Sequence, residues 1–134
     1  MIVVDKLLSG LRILVVEDEM LVLLETEDML ADLGCESVTT AATVDQAVDI
    51  VKAQRFDAAL LDVNLSGDRS HRVADALAAR GVPFAFATGY GGQGLRAADR
   101  DRPLLLKPFR SELLEEILSG LLSQGRCQSK LGQR

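Results

Sequence analysis

The chain has 134 residues, 48% of them hydrophobic, which is enough for one globular domain with a sizeable core. Its net charge of −5 argues against a general nucleic-acid binder, and no apolar run approaches the roughly 20 residues that span a bilayer. The first residues lack the basic start and long apolar stretch of a signal peptide. Cys35 and Cys127 are far apart without metal-ligand spacing, which is typical of a reducing compartment. We therefore expect a cytoplasmic protein without nucleic-acid or membrane partners.

The hydrophobic pattern divides the chain into an extension, one domain and a tail. Residues 1–10 form a short N-terminal extension, residues 11–123 form the domain, and residues 124–134 are a polar tail that is expected to fray. Within the domain, short apolar runs alternate with segments of helical periodicity. The predicted strands are 11–16, 36–40, 56–62, 83–88 and 103–106, and the predicted helices begin near Met20, Thr43, Ser70, Leu95 and Ser111. The side chains of Thr43 and Ser70 are expected to cap their helices.

Strands that alternate with helices predict a parallel sheet with right-handed crossovers. The length suits a doubly wound α/β domain of five strands, (βα)5, with the flavodoxin-like strand order 2-1-3-4-5. This order puts strands one and three side by side at the centre of the sheet. Ligands of such sheets bind beyond the carboxyl ends of the strands at this point. The residues that follow strands one and three are therefore the first candidates for a functional site.

Three carboxylates lie at the ends of these two strands. Glu17 and Asp18 come directly after strand one, and Asp62 ends the apolar run of strand three. Carboxylates that are brought together repel one another, so they need a cation or a raised pKa. Hard oxygen ligands in a small cluster select Mg²⁺, which favours one or two carboxylates together with waters and phosphate oxygens. The sequence therefore predicts a magnesium site here, while the neighbouring Glu19 is expected only to complement the helix dipole.

A hydroxyl and an ammonium group are expected at the same edge of the sheet. Thr88 ends strand four, and Lys107 follows strand five. A metal ion and an ammonium group can offset the charge of an incoming phosphate, while a hydroxyl donates a hydrogen bond to it. In that arrangement Asp62 is the nucleophile that forms an aspartyl phosphate. The pattern favours a site that handles phosphoryl groups.

These positions resemble the site of a response-regulator receiver domain, the CheY-like domain, over residues 11 to about 123. The resemblance implies an Mg²⁺-dependent phospho-acceptor in a two-component phosphorelay. It implies that Asp62 accepts the phosphoryl group, while Thr88 and Lys107 hold the phosphoryl oxygens. It also implies that Asp18 binds the metal directly and Glu17 binds it through water. Asp62 and the backbone carbonyl of Asn64 would complete the metal site. The donor would be a sensor histidine kinase or a histidine phosphotransfer protein. The domain would be no enzyme beyond catalysing its own phosphotransfer and dephosphorylation.

A narrower resemblance is to the FATGUY subgroup of bacterial receivers. The segments 83–90 (PFAFATGY) and 103–109 (PLLLKPF) carry it. Members of this subgroup are often stand-alone domains, and several act in stress-response phosphorelays. Because nothing after Leu122 resembles a DNA-binding or enzymatic domain, we expect a single-domain regulator that signals through protein contacts. A downstream signalling protein would bind the face formed by the fourth and fifth strands and the fourth and fifth helices.

Two departures from the receiver pattern affect the expected switching mechanism. Leu104 stands where receivers carry an aromatic residue three positions before the lysine, so Thr88 would switch together with Tyr90 or Phe109 instead. Three glycines, at 91, 92 and 94, each cost a helix about 1 kcal/mol relative to alanine, so the fourth helix is expected to be short and weak. We predict that residues 89–100 are mobile and become ordered on phosphorylation or partner binding.

The main alternative is a degenerate receiver that binds partners without phosphate, which Leu104 leaves open. Glycines at 89, 91 and 94 match a dinucleotide fingerprint, but Pro103 arrives too soon for the helix that such a site needs. A flavin site would need a phosphate-cradling loop after strand one, where the carboxylates would repel phosphate. An aspartate phosphatase would carry a second Asp where this chain has Asn64. His71 is expected to be solvated.

Overall fold

The computed structural model describes residues 8–65, 67–89 and 94–132 of the chain, with side chains up to residue 123. Over these residues the strands are β1 (Arg12–Val16), β2 (Ser37–Ala41), β3 (Ala58–Asp62), β4 (Asn64–Leu65), β5 (Asp68–Arg69), β6 (Phe84–Thr88) and β7 (Leu104–Leu106). The helices are α1 (Met20–Asp32), α2 (Val44–Ala53), α3 (His71–Ala79) and α4 (Ser111–Gly132), and a short 3-10 helix covers Ala97–Asp99. The two-residue strands β4 and β5 form a separate antiparallel hairpin directly after β3.

The five longer strands form one parallel sheet in the order β2-β1-β3-β6-β7. Since β6 and β7 are the fourth and fifth strands of the predicted alternation, the expected order 2-1-3-4-5 is confirmed. Val16, the last residue of β1, lies beside Leu61, so the chain leaves β1 next to Asp62. On the other side Asp62 lies beside Ala87, one residue before Thr88. The register therefore brings the ends of β1, β3 and β6 to one edge of the sheet.

Both faces of the sheet are covered, which explains the continuous apolar runs of its central strands. All residues of β3 and of β6 are buried, as expected for parallel strands between two layers of helices. Neighbouring side chains point to opposite faces: Leu61 packs in a cluster with α2 and α3, and Leu60 in a cluster with α1 and α4. The two helical layers therefore hold the central strands in place, and with them the polar residues at the strand ends.

Two regions near the ends of the described chain belong to the fold. Leu8 of the N-terminal extension is fully buried, and its N–H donates to the carbonyl of Leu33 at 3.1 Å. At the other end α4 continues to Gly132, so the backbone of 124–132 is helical, and fraying of this tail stays a prediction. The predicted boundaries of the domain at residues 11 and 123 stay a prediction.

The two predicted helix caps have different outcomes. The hydroxyl of Thr43 accepts from the N–H of Gln46 at 3.1 Å, so this cap is confirmed. Ser70 precedes α3, but its hydroxyl donates to the carbonyl of Val63 at 3.1 Å instead, so the predicted side-chain cap is wrong. The reason is the hairpin, which returns the chain to Val63 and supplies a buried acceptor. Ser70 therefore ties the hairpin to the start of α3.

The fourth predicted helix is present only as the short 3-10 helix, and the residue before it, Arg96, contacts α3. Arg96 donates to Asp75 at 2.8 Å and to Asp99 at 2.9 Å, and Asp99 is buried. His71, which was expected to be solvated, is half-buried, with Nε2 3.2 Å from the carbonyl oxygen of Gly94. Residues 90–93 lie outside the described part. Mobility of residues 89–100 stays a prediction. In this structure the contacts of Arg96 join its segment to α3.

Gly94 is expected to tolerate a side chain poorly. Its φ of +88° is in the left-handed region, and a Cβ there would overlap the guanidinium of Arg69 and lie 3.2 Å from Cγ1 of Val63. The exposed Arg69 can swing away, whereas the buried Val63 has little room to move. Gly81 has a φ of +68° with nothing within 4 Å of such a Cβ, so it is a matched control. We expect Gly94→Ala to lower the free energy of unfolding by about 2 kcal/mol and Gly81→Ala by about 1 kcal/mol, as measured by urea denaturation. Equal losses would contradict a role of the Val63 contact.

Candidate functional site

Two buried carboxylates form the floor of the candidate site. Glu17 follows β1 and Asp62 ends β3, and they are only 4% and 7% exposed. The N–H of Glu19 donates to the Glu17 carboxylate and the N–H of Asn64 to the Asp62 carboxylate, each at 3.2 Å. Asp18 joins them, because one carboxylate oxygen from each of the three residues lies within 4.8 Å of the others. The fold thus assembles the three acids that the sequence placed at neighbouring strand ends.

Lys107 reaches these acids from the end of β7. Its ammonium group forms ion pairs with Glu17 and, at 2.9 Å, with Asp62. Its backbone N–H donates to the carbonyl of Thr88 at 2.9 Å, which continues the pairing of β6 with β7. The Lys107–Pro108 peptide is cis. The ammonium group therefore offsets part of the negative charge that the fold concentrates at this edge.

Burial and the neighbouring charges of the site shift the pKa values of Glu17 and Lys107. The pKa of Glu17 rises from 4.5 to about 7, first because burial penalises the ionised carboxylate and then because Asp62 lies within hydrogen-bonding reach. Lys107 acts on Glu17 in the opposite direction. Burial alone would lower the pKa of Lys107, but its bonds to Glu17 and Asp62 outweigh burial and hold that pKa above 10.5. A metal ion bound by these acids would therefore compete with a proton on Glu17 near neutral pH.

The acids open into a cavity of about 540 Å³ between α1 and the segments that follow β3, β6 and β7. Thr88 lies in its wall and is 3% exposed, and the exposed Asn64 lies at its rim. The far wall is apolar and includes Val22, Met29 and Phe109. A cavity of this size admits a phosphoryl group together with the group that carries it.

The family model for the response regulator receiver domain matches residues 13–119. The chain belongs to this family. The solution structure of SdrG from Sphingomonas melonis Fr1 is 45% identical, with a TM-score of 0.76, and the match covers 84% of this chain and 96% of SdrG. The receiver domain of the sensor histidine kinase PA1611 from Pseudomonas aeruginosa PAO1 is 32% identical, with a TM-score of 0.73 over 86% of this chain and 99% of that one. That crystal structure has a magnesium ion coordinated in the active site cleft.

Among curated proteins, the sensory transduction protein LytT of Bacillus subtilis is 35% identical over 112 residues, which are 81% of this chain and 46% of LytT. The chain spans about half the length of the curated relatives it matches, from 46% to 54%. These findings confirm the predicted receiver family, whereas membership of the FATGUY subgroup stays a prediction. In the described part of the receiver no helix has the length and hydropathy that a bilayer crossing requires. Location in the cytoplasm stays a prediction.

The donor set of this receiver fits Mg²⁺. Glu17, Asp18 and Asp62 offer oxygen ligands from within one small cluster, as a hard divalent cation requires. The carboxylates outnumber the ammonium group of Lys107, and the burial that raises the pKa of Glu17 disfavours their full ionisation unless a further cation is present. The receiver family and this acidic pocket together support the predicted cofactor.

The predicted switch residues lie on two sides of the site. Leu104 is half-buried on β7 and packs against the core cluster of α2 and α3. Phe109 is half-buried, packs against the opposite cluster and lines the cavity. Tyr90 lies outside the described residues. Phe109 therefore lies at the site, whereas a role of Tyr90 stays a prediction.

Glu19 has more contacts with the site than the sequence analysis expected. Its N–H holds the Glu17 carboxylate, and its own carboxylate lies 3.9 Å from the ammonium group of Lys107 at the cavity wall. The side chain is 67% exposed. The available signal was its position two residues after a buried strand-end acid, which places it on the turn that leads into α1.

The stability of the metal-free receiver should fall as pH rises from 4.5 to about 7. The folded state holds the Glu17 proton more tightly than the unfolded state, so the stability from this group is fully present below pH 4.5 and is lost towards pH 7. The loss should be about 3 kcal/mol and should be absent in Glu17→Gln. Urea denaturation of both proteins in EDTA across this range measures the difference between them. Parallel stability profiles would contradict the burial of an ionisable Glu17.

Proposed function

We propose that this receiver accepts a phosphoryl group on Asp62, with Mg²⁺, from a sensor histidine kinase or a histidine phosphotransfer protein. The observation that carries the proposal is the position of the Asp62 carboxylate. It lines the cavity, within one acidic cluster with Glu17 and Asp18 and 2.9 Å from the ammonium group of Lys107. A carboxylate so placed can be reached by a phosphoryl group, and cationic groups beside it can offset the added charge.

The residues of the chain have distinct roles in this transfer. One carboxylate oxygen of Asp62 attacks phosphorus while the phosphorus–nitrogen bond of the phosphohistidine breaks, and the imidazole leaves with the electron pair of that bond. The N–H of Asn64, which donates to the Asp62 carboxylate, holds the nucleophile in place. Lys107 is free to exchange one carboxylate for a phosphoryl oxygen, and Thr88 can donate its hydroxyl to another. Bound Mg²⁺ supplies further charge compensation for the phosphoryl oxygens.

Signalling by this receiver would proceed through protein contacts rather than catalysis of a separate reaction. Leu106 on β7 and Leu113 on α4 are large apolar side chains that are 54% and 40% exposed. Exposed apolar side chains on a strand and on the helix that follows it favour a protein partner at this face. We propose that a downstream protein binds the face of β6, β7, the 3-10 segment and α4.

The proposal is tested by intact-mass spectrometry after incubation with Mg²⁺ and acetyl phosphate. The expected result is the addition of one phosphoryl mass to the wild type, with no addition in EDTA or in Asp62→Asn. Asp57→Asn is the matched control. This exposed carboxylate directly precedes β3, at the opposite end of the strand from Asp62, and accepts a hydrogen bond from the N–H of Arg12. It should be phosphorylated like the wild type.

A degenerate receiver that binds its partner without phosphate is the second candidate function. Leu104 favours it, because the position of the usual aromatic switch holds an aliphatic side chain that is packed into the core. The same experiment separates the two functions. A wild type that gains no phosphoryl mass with Mg²⁺ would support the degenerate receiver.

A further inference from the structure

Charge is distributed unevenly over the cavity of the proposed phospho-acceptor. Its described wall carries four carboxylates, those of Asp18, Glu19, Glu25 and Asp62, and one ammonium group, that of Lys107. Glu17 adds a further buried carboxylate to the same cluster. Three of these acids form the cluster that suits a divalent ion, which leaves Glu19 and Glu25 outside it. Their charges therefore remain facing whatever enters the cavity.

Of these two, Glu19 lies beside the reacting centre. Its carboxylate lies 3.9 Å from the ammonium group of Lys107, which in turn lies 2.9 Å from Asp62. Its backbone N–H is fixed on the Glu17 carboxylate. The side chain is 67% exposed and lines the cavity, whereas that of Lys107 is 13% exposed, so Glu19 stands on the solvent side of Lys107. A donor that reaches Asp62 from solvent would pass this carboxylate, and so would its leaving group.

Phosphoryl donors of two classes, phosphoramidates and acyl phosphates, differ in the charge of the group that leaves past Glu19. In a transfer from a phosphoramidate, the Asp62 oxygen bonds to phosphorus, the phosphorus–nitrogen bond breaks, and the protonated nitrogen departs as a neutral amine. In a transfer from an acyl phosphate, the phosphorus–oxygen bond breaks, and the leaving carboxylate carries the electron pair and a full negative charge. A carboxylate at the position of Glu19 opposes the second transfer more than the first.

We infer that Glu19 is a specificity-determining residue that favours phosphorus–nitrogen donors over acyl phosphates. This inference rests on the proposed function, since it requires that Asp62 accepts phosphoryl groups. It assigns the discrimination to a single carboxylate on the turn before α1, outside the acidic cluster.

The test compares the rates of phosphorylation by phosphoramidate and by acetyl phosphate in Mg²⁺, followed by intact mass. Glu19→Gln should raise the rate with acetyl phosphate relative to that with phosphoramidate by about threefold to fivefold, the effect of one unit charge acting over a few ångströms in largely aqueous surroundings. Glu19→Asp should stay near the wild-type ratio. Glu25→Gln removes the same charge from the same wall without the Lys107 contact, and its ratio should change less than about twofold.

Mg²⁺ affinity, measured by NMR titration, gives a readout that is independent of phosphorylation. It should stay within about threefold of the wild type in Glu19→Gln, since Glu19 is outside the cluster. An unchanged donor ratio in a Glu19→Gln protein that is phosphorylated overturns the inference. Equal changes in Glu19→Gln and Glu25→Gln also overturn it, because the wall as a whole would then discriminate. A wild type that neither donor phosphorylates refutes the proposed function instead.

Discussion

Lys107→Met is expected to lower the free energy of unfolding of the metal-free receiver by about 3 kcal/mol at pH 8. The substitution leaves the buried carboxylates of Glu17 and Asp62 side by side without the ammonium group that now pairs with both. Methionine keeps most of the volume of the side chain, so the loss reports charge rather than packing. Mg²⁺ should restore most of the stability, because binding to the folded state adds about 2.7 kcal/mol at a hundred times the dissociation constant.

Urea denaturation in EDTA and in Mg²⁺ measures both effects. Lys52→Met is the matched control, since this lysine is exposed at the end of α2 and should change stability by less than about 0.5 kcal/mol. A Lys107→Met protein as stable as the wild type in EDTA would contradict the ion pairs. A loss that Mg²⁺ leaves unchanged would contradict a shared site for the metal ion and the ammonium group.

Asp18→Asn is expected to weaken Mg²⁺ binding by about tenfold to a hundredfold. The substitution retains an oxygen at the same place but removes one of the three charges that lie within 4.8 Å of one another. Because the chain contains no tryptophan, binding is best followed by NMR titration of backbone amides. The amides of Asn64 and Thr88 should shift in the wild type, since they stand at the ends of the strands that carry the site.

Asp28→Asn provides the control for overall charge. Asp28 is exposed on α1 and is not part of the acidic cluster, so its removal should change the affinity by less than about twofold. Equal effects of the two substitutions would show that general electrostatic attraction, not ligation by Asp18, accounts for binding.

Much of the site could be predicted from the sequence because strand ends are easily located. The buried runs of β1, β3 and β6 are apolar up to the end of each strand. The first polar residue at or directly after that end can therefore be identified from the sequence. A parallel sheet then brings those positions together, whatever their separation along the chain. Glu17, Asp62 and Thr88 come to one edge for this reason, and Lys107 joins them from the end of β7 once the strand order 2-1-3-4-5 is added to the periodicity.

The remaining features depend on side-chain contacts that have no period. The hydroxyl of Ser70 turns to Val63 because a hairpin of two-residue strands returns there, and strands so short leave no hydrophobic pattern. The fastening of Arg96 to α3 depends on which of several nearby acids it meets. Likewise the sequence predicts only that Glu19 complements the dipole of α1, and its contact with Lys107 is evident only from the structure.

The position of the covalent phosphoryl group tests the central claim most directly. Borohydride reduction converts an aspartyl phosphate to homoserine, and peptide mass spectrometry locates the converted residue. After incubation with Mg²⁺ and acetyl phosphate, we expect homoserine at position 62, dependent on Mg²⁺ and on the donor. Homoserine at another aspartate, or none in a protein that has gained phosphoryl mass, would contradict the assignment of Asp62 as the phospho-acceptor.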